Sequence, residues 1–207
     1  MDLTKIKNLV FDLGGVIIDL HIEATLREFS HLSGKTLDEI KGSYFRPDFF
    51  YQYEKGLIND ATFVEALSDY LGTSLSGEQV EKAWNKMLGK IDPVRIEKLK
   101  RLSKHYNLLL LSNTNRMHVD VFNDILYRAS GVSTMHDIFH KVYYSHELHM
   151  RKPDDEIFLH ILEENSLKAG ETLFLDDTRE NLDTANRLGI NTFHVTSPDV
   201  WVEQIHE

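Results

Sequence analysis

Asn8-Leu9-Val10-Phe11-Asp12-Leu13-Gly14-Gly15-Val16 is the stretch from which the rest of the chain is read. Leu9, Val10 and Phe11 form an apolar run without alternation, the pattern of a strand buried on both faces. The run stops at Asp12, and two glycines follow. An aspartate at the carboxyl end of such a strand stands where open α/β sheets bind ligands. Gly14 and Gly15 let the backbone turn sharply and approach a ligand. Alone, Asp-x-Gly-Gly reads as an aspartate opening a turn. Three later segments give it more weight.

Beyond Val16-Ile17-Ile18 and the polar pair Asp19 and His21, the character is helical from about Glu23 to Gly89. Leu26, Phe29 and Leu32 share a face before Gly34, and Thr36 with Glu39 has the spacing of a capping box. Pro47-Asp48 opens a short aromatic helix ending at Gly56, and Asn59-Asp60 opens another ending at Gly72. Ser76 with Gln79 begins a fourth, carrying Val80, Trp84, Met87 and Leu88. Four or five short helices with no strand among them predict a compact helical module inserted after the first strand. From Asp92-Pro93 onward, helices alternate with the apolar strands Leu108–Leu111, Val142–Tyr144, Leu173–Leu175 and Thr192–Val195. That alternation predicts an α/β chain: a doubly wound, Rossmann-like parallel sheet with helices on both faces. The expected division is a core of residues 1–17 and 92–207 and a helical cap of residues 18–91.

Composition narrows the functions. Of 207 residues 42% are hydrophobic and 27% charged, as in ordinary globular chains. The net charge of -10, without a long basic run, argues against nucleic acid and against an anionic membrane surface. A small anionic substrate remains open, because local donors outweigh overall charge at short range. With no cysteine there is no disulfide, thiolate metal site or cysteine nucleophile. No run is apolar enough to span a bilayer and no signal region precedes the first strand, so a cytoplasmic protein is expected.

Four polar clusters fall in the same structural place. Asp12, Ser112-Asn113 and Asp176-Asp177 each follow an apolar strand, and Lys152 precedes a helix N-terminus. In a parallel sheet all strand carboxyl ends lie along one edge, so these groups converge. Three carboxylates offer hard oxygen ligands of the kind that hold Mg²⁺ together with substrate phosphate. Ser112 and Asn113 can donate to phosphate oxygens, and Lys152 supplies a positive point charge. Phosphoryl transfer needs this combination of positioning and charge neutralisation, with an aspartate able to act as nucleophile. Each cluster also has a plain reading: a turn for Ser112-Asn113, a solvated lysine for Lys152, helix caps for Asp176-Asp177.

On these motifs the chain resembles the haloacid dehalogenase-like hydrolase superfamily over essentially its whole length. Phe11-Asp12-Leu13-Gly14-Gly15-Val16 resembles the first family motif, and Leu111-Ser112-Asn113-Thr114 the second. Arg151-Lys152-Pro153 with Ile157-Phe158 resembles the third, and Leu175-Asp176-Asp177 with Asn181, Ala185 and Gly189 the fourth. The resemblance implies a Rossmann-like core with a C1-type, four-helix-bundle-like cap inserted after the first motif. It implies Mg²⁺ as cofactor and a small phosphate ester as substrate. By the same resemblance Asp12 is nucleophile and metal ligand, the Gly14 carbonyl and Asp177 complete the protein ligands, and Asp176 is a ligand or orients metal-bound waters. Ser112, Asn113 and Lys152 would hold the phosphate.

One departure stands out. Phosphatases of this family usually carry a second aspartate, the general acid and base, two residues after the nucleophile, and here that position is Gly14. Such a loss typically costs about 10²–10⁴-fold in rate. It hurts least with an acidic leaving oxygen, such as the anomeric oxygen of a sugar 1-phosphate. Ser112-Asn113-Thr114-Asn115-Arg116 and Tyr53-Glu54-x-Gly56 resemble bacterial sugar-1-phosphate phosphatases, so a sugar 1-phosphate is the expected substrate. Asp19 and His21 are candidates to replace the acid, though a hinge position accounts for both. The aromatic group Tyr44, Phe45, Phe49, Phe50, Tyr51 and Tyr53 has the spacing of a cap core. The alternatives are a metal-independent 2-haloacid dehalogenase and a catalytically weak phosphate-ligand binder. A monomer or weak homodimer is expected.

Overall fold

The computed structural model describes residues 3–43 and 47–206. Five strands form one parallel sheet: β1 (Asn8–Phe11), β4 (Asn107–Ser112), β5 (Lys141–Tyr144), β6 (Thr172–Asp176) and β7 (Asn191–His194). Their order is β5-β4-β1-β6-β7, which puts β1 in the centre. Leu9 and Phe11 share a core with Leu108, Leu110, Leu173 and Leu175. Val10, Leu109, Leu111 and Phe174 belong to a second core. Successive side chains therefore go to opposite faces, and both faces are covered, which is why the strands are apolar without alternation.

On the first face lie α6 (Pro93–Leu102), α7 (Arg116–Ser130) and α11 (Val200–Gln204), and on the second α9 (Asp155–Glu164) and α10 (Arg179–Arg187). A short α8 (Ser145–Leu148) follows β5. Phe11 is level with Leu110 on β4 and Leu175 on β6. Asp12, Leu111 and Asp176 thus come one step later on three adjacent strands, with Ser112 a step beyond. The doubly wound α/β architecture matches the sequence expectation.

The helical insert contains α1 (Ile22–Ser33), α2 (Leu37–Ser43), α3 (Asp48–Glu54), α4 (Asp60–Leu71) and α5 (Gly77–Trp84). It has its own core, in which Phe29, Phe50, Tyr53, Phe63 and Trp84 are buried together. The sequence caps are present. Glu39 Oε2 accepts from the Thr36 N–H at 2.8 Å, and Asn59 Oδ1 accepts from the Thr62 N–H at 2.9 Å. Ser76 and Gln79 complete a reciprocal box. The aromatic cluster is cap core at Phe49, Phe50 and Tyr53, whereas Tyr51 is exposed under the Arg151 guanidinium. Tyr44 and Phe45 lie outside the described residues.

The structure corrects the expectation of a strand-free insert. The fourth expected helix stops at Trp84, and after one 3₁₀ turn the chain forms β3 (Leu88–Ile91). This strand pairs antiparallel with β2 (Ile18–Leu20), making a two-stranded ribbon at the root of the insert. A Cβ on Gly89 would sit 2.7 Å from the Asp19 carbonyl oxygen. Close strand approach at a glycine, a pairing with a residue about 70 positions away, overrides the local helical pattern. No helix among the described residues is long and apolar enough to cross a membrane.

Candidate active site

The strand ends bring the predicted polar groups together. Lys152 is buried, and its ammonium donates to Asp12 Oδ1 and to Asp176 Oδ2, both at 2.7 Å. One oxygen from each of Asp12, Asp176 and Asp177 lies within 4.8 Å of the others. Burial, with Asp176 and Asp177 alongside, pushes the Asp12 carboxyl up to about 7 against the pull of the Lys152 ammonium. Burial and the Asp176 charge likewise raise Asp177. Burial lowers Lys152, but the two carboxylates outweigh it and hold the ammonium above the ordinary lysine value.

Asp176 is wholly committed to protein donors. Its Oδ1 accepts from the Thr178 N–H at 2.7 Å, and Asn181 Nδ2 lies 3.1 and 3.0 Å from its two oxygens. Asp177 carries no such saturation and lines the cavity beside Asp12 and Gly14. Gly15 has φ +69°, and a Cβ there would meet Asp177 Oδ2 at 2.2 Å. The second glycine of the opening motif therefore makes room for the carboxylate.

Ser112 is buried and lines the same cavity. Asn113 does something the sequence did not indicate. Its amide Nδ2 donates to the Lys152 carbonyl at 2.8 Å, and its Oδ1 accepts the Lys152 N–H at 2.9 Å. The side chain clamps the backbone that presents the ammonium.

The cavity over Asp12 has a volume of about 270 Å³, and its far wall comes from the insert. Three wall residues were not assigned a role from sequence: Glu54 at the end of α3, Asn115 and His118. Glu54 lies within the quoted Tyr53-Glu54-x-Gly56, but nothing local shows where its carboxyl points. His118 reads as a core histidine on a helix face. Its Nδ1 is 2.7 Å from Asn85 Oδ1, and its ring stacks on Trp84 at 5.6 Å. Asn85 Nδ2 donates to the Met117 carbonyl, so Oδ1 is the acceptor and His118 Nδ1 carries the proton. Burial drives this imidazole down to about 3. The Asn115 Oδ1 is buried without a hydrogen-bond partner among the described residues.

Asp19 and His21 are not brought to the cavity. Arg95 donates to Asp19 Oδ1 at 2.7 Å, and both hinge residues line a shallow hollow with Arg95 and Asp199. A side chain at Gly14 would meet Leu20 Cδ1 at 2.7 Å, so an apolar group fills the space beside position 14.

Comparison with known proteins agrees with this geometry. Residues 9–195 match the family model for haloacid dehalogenase-like hydrolases. The chain is 30% identical over 200 residues to a D-ribitol-5-phosphate phosphatase of Bacteroides thetaiotaomicron, covering 97% of each. It is 27% identical over 194 residues to a sesquiterpene phosphatase of Aspergillus oryzae, covering 93% of this chain and 91% of that one. A wild-type family enzyme of Bacteroides thetaiotaomicron, crystallised with magnesium and inorganic phosphate, superposes with a TM-score of 0.86 at 33% identity. That match covers 97% of this chain and all of the other. The chain belongs to the haloacid dehalogenase-like hydrolase family. Both of the relatives named above that share most of its length by sequence are phosphatases, which makes this chain similar to the phosphatase members of the family.

Proposed function

We infer that the protein is a Mg²⁺-dependent phosphatase of a small phosphorylated sugar or polyol, working through an aspartyl-phosphate on Asp12. The observation that carries this is the buried Lys152 ammonium shared between Asp12 and Asp176 at 2.7 Å, with Asp177 alongside. One ammonium against three carboxylates leaves excess negative charge, and burial, with the neighbouring carboxylates adding to it, raises the Asp12 and Asp177 carboxyls. Hard oxygen donors short of positive charge fit a divalent ion. Asp12, the Gly14 carbonyl and Asp177 would hold it, with Asp176, saturated by Thr178, Asn181 and Lys152, as the group that orients the site. Bound there, Mg²⁺ would neutralise phosphate charge beside the nucleophile.

The chain's own residues do the rest. Lys152 and Ser112, with the Asn113 backbone, hold the phosphoryl oxygens, and Lys152 keeps Asp12 pointed at phosphorus. Asp12 attacks phosphorus, the ester oxygen leaves, and water then releases inorganic phosphate from Asp12. Residues 18–91 act as the cap that covers the leaving group. A cavity of about 270 Å³ suits a small substrate.

Two substrate positions follow from different observations. The missing carboxylate at Gly14 favours a sugar 1-phosphate, whose anomeric oxygen leaves readily. The 30% identical relative favours a polyol phosphate ester of a primary alcohol. Phosphate release from a panel of sugar 1-phosphates and polyol 5-phosphates, with Mg²⁺, separates the two. Wild-type activity abolished by Asp12→Asn and by chelator is the expected result. Chloride release from 2-haloacids in chelator would instead favour a dehalogenase, and phosphate binding without turnover a degenerate binder.

A further inference from the structure

We propose that Glu54, supplied by the insert, is the general acid and base of the reaction and takes the role that Gly14 lacks. The inference rests on the phosphatase reading above and goes beyond it.

Among the described residues, five titratable side chains line the cavity: Asp12, Asp177, Lys152, His118 and Glu54. Four are committed. Asp12 faces phosphorus in that reading, and Asp177 the metal. The Lys152 ammonium is shared between Asp12 and Asp176. His118 has its one proton on Nδ1, engaged with Asn85, and burial keeps its other nitrogen unprotonated at neutral pH. Glu54 is what remains.

Its placement is built, and not a chance surface position. The Glu54 carbonyl accepts from Ser145 Oγ at 2.6 Å, and the same hydroxyl accepts the Thr114 N–H at 2.9 Å. The backbone of Glu54 is thereby tied to the loop that follows Ser112 and Asn113. Gly56, at φ +63°, runs so close to the core that a Cβ would meet the His146 carbonyl oxygen at 2.1 Å. Lys55 adds an ion pair to Asp154 at 2.8 Å. The side chain is held as well. Arg151 Nε donates to Glu54 Oε2 at 3.0 Å, and Arg151 immediately precedes the Lys152 that touches Asp12. Oε1 has no hydrogen-bond partner among the described residues. Burial outweighs Arg151 and Lys152, the two cations facing it, and raises the carboxyl above the ordinary glutamate value. A carboxyl so raised retains a proton to donate nearer neutral pH.

The steps balance. As the Asp12 oxygen–phosphorus bond forms and the ester P–O bond breaks, the Glu54 carboxylic acid gives its proton to the departing alcohol oxygen. The Glu54 carboxylate then takes a proton from the water whose oxygen attacks phosphorus, and the Asp12 carboxylate leaves. One water is consumed, an alcohol and phosphate are released, and the glutamic acid is restored.

The experiment compares wild type with Glu54→Gln on p-nitrophenyl phosphate and on the sugar or polyol phosphate that wild type hydrolyses fastest. The nitrophenolate leaves without a proton, whereas the alkyl oxygen needs one. Glu54→Gln should lose about 10²–10⁴-fold in kcat on the alkyl ester. On p-nitrophenyl phosphate it should give a burst of one nitrophenolate per chain and then slow turnover, because only the second step needs the base. Steady hydrolysis of p-nitrophenyl phosphate at the wild-type rate, with only KM for the alkyl ester changed, would overturn the proposal: Glu54 would then read hydroxyls and move no proton. Should the amide variant fail to fold, Glu54→Ala replaces it, and absence of any burst there overturns the proposal equally. A wild type that releases no phosphate from either substrate overturns the phosphatase reading and this inference with it.

Discussion

Replacing Lys152 by methionine keeps an unbranched side chain, one heavy atom shorter, and removes the charge at the centre of the site. Asp12 and Asp176 are then left with oxygens within 4.8 Å of each other and no cation between them. Two unit charges at that separation repel by about 3.5 kcal/mol at an effective dielectric of about 20. Breaking a buried pair by removing one partner typically costs about 3–5 kcal/mol, in agreement. At about 2–4 °C per kcal/mol for a chain of this size, the unfolding midpoint should fall by roughly 6–20 °C. The loss has a sign in pH. Without the ammonium the folded carboxyls titrate above their unfolded value, so the penalty is full above the folded pKa. It is relieved as pH falls toward the ordinary aspartate range. Mg²⁺ should also restore Lys152→Met by more than it stabilises wild type. Thermal melts of both proteins at about pH 8 and about pH 5.5, with and without Mg²⁺, read all three effects. A variant as stable as wild type at the higher pH without Mg²⁺, or a loss unmoved by pH and metal, would refute the reasoning.

Asn181→Ala frees both Asp176 oxygens from their amide donor, and a Mg²⁺ titration of activity should show affinity down by about 10–100-fold. Gly56→Ala forces a Cβ into the His146 carbonyl at a left-handed position. It should cost at least about 1–2 kcal/mol in urea unfolding and, by shifting Glu54, reduce kcat. His118 is held neutral in the fold, so the unfolded chain binds its proton first and stability falls as pH drops through the ordinary histidine value. From about pH 7 to about pH 5 that loss should be about 2 kcal/mol, and in His118→Phe this part of the slope should vanish.

The sequence by itself determined the class of fold and the sheet edge on which the candidate site lies. Leu9–Phe11, Leu108–Leu111 and Leu173–Leu175 are apolar without alternation, which only a sheet covered on both faces requires. A parallel sheet then places Asp12, Ser112 and Asp176 side by side whatever the loops do. Local cap chemistry at Thr36, Asn59 and Ser76 was equally readable, because it involves neighbours three residues apart. Tertiary structure decided what depends on distant partners. The β2–β3 ribbon pairs residues about 70 apart at Gly89, where no local pattern shows a strand. Asn113 was spent on the Lys152 backbone, 39 positions away. Glu54 reached the cavity because Ser145, Gly56 and Arg151 dock the end of α3 on the core. Periodicity tells which face of an element is buried; which polar group then faces the substrate is set by how the insert sits on the sheet, and that is a property of packing between segments far apart in the chain.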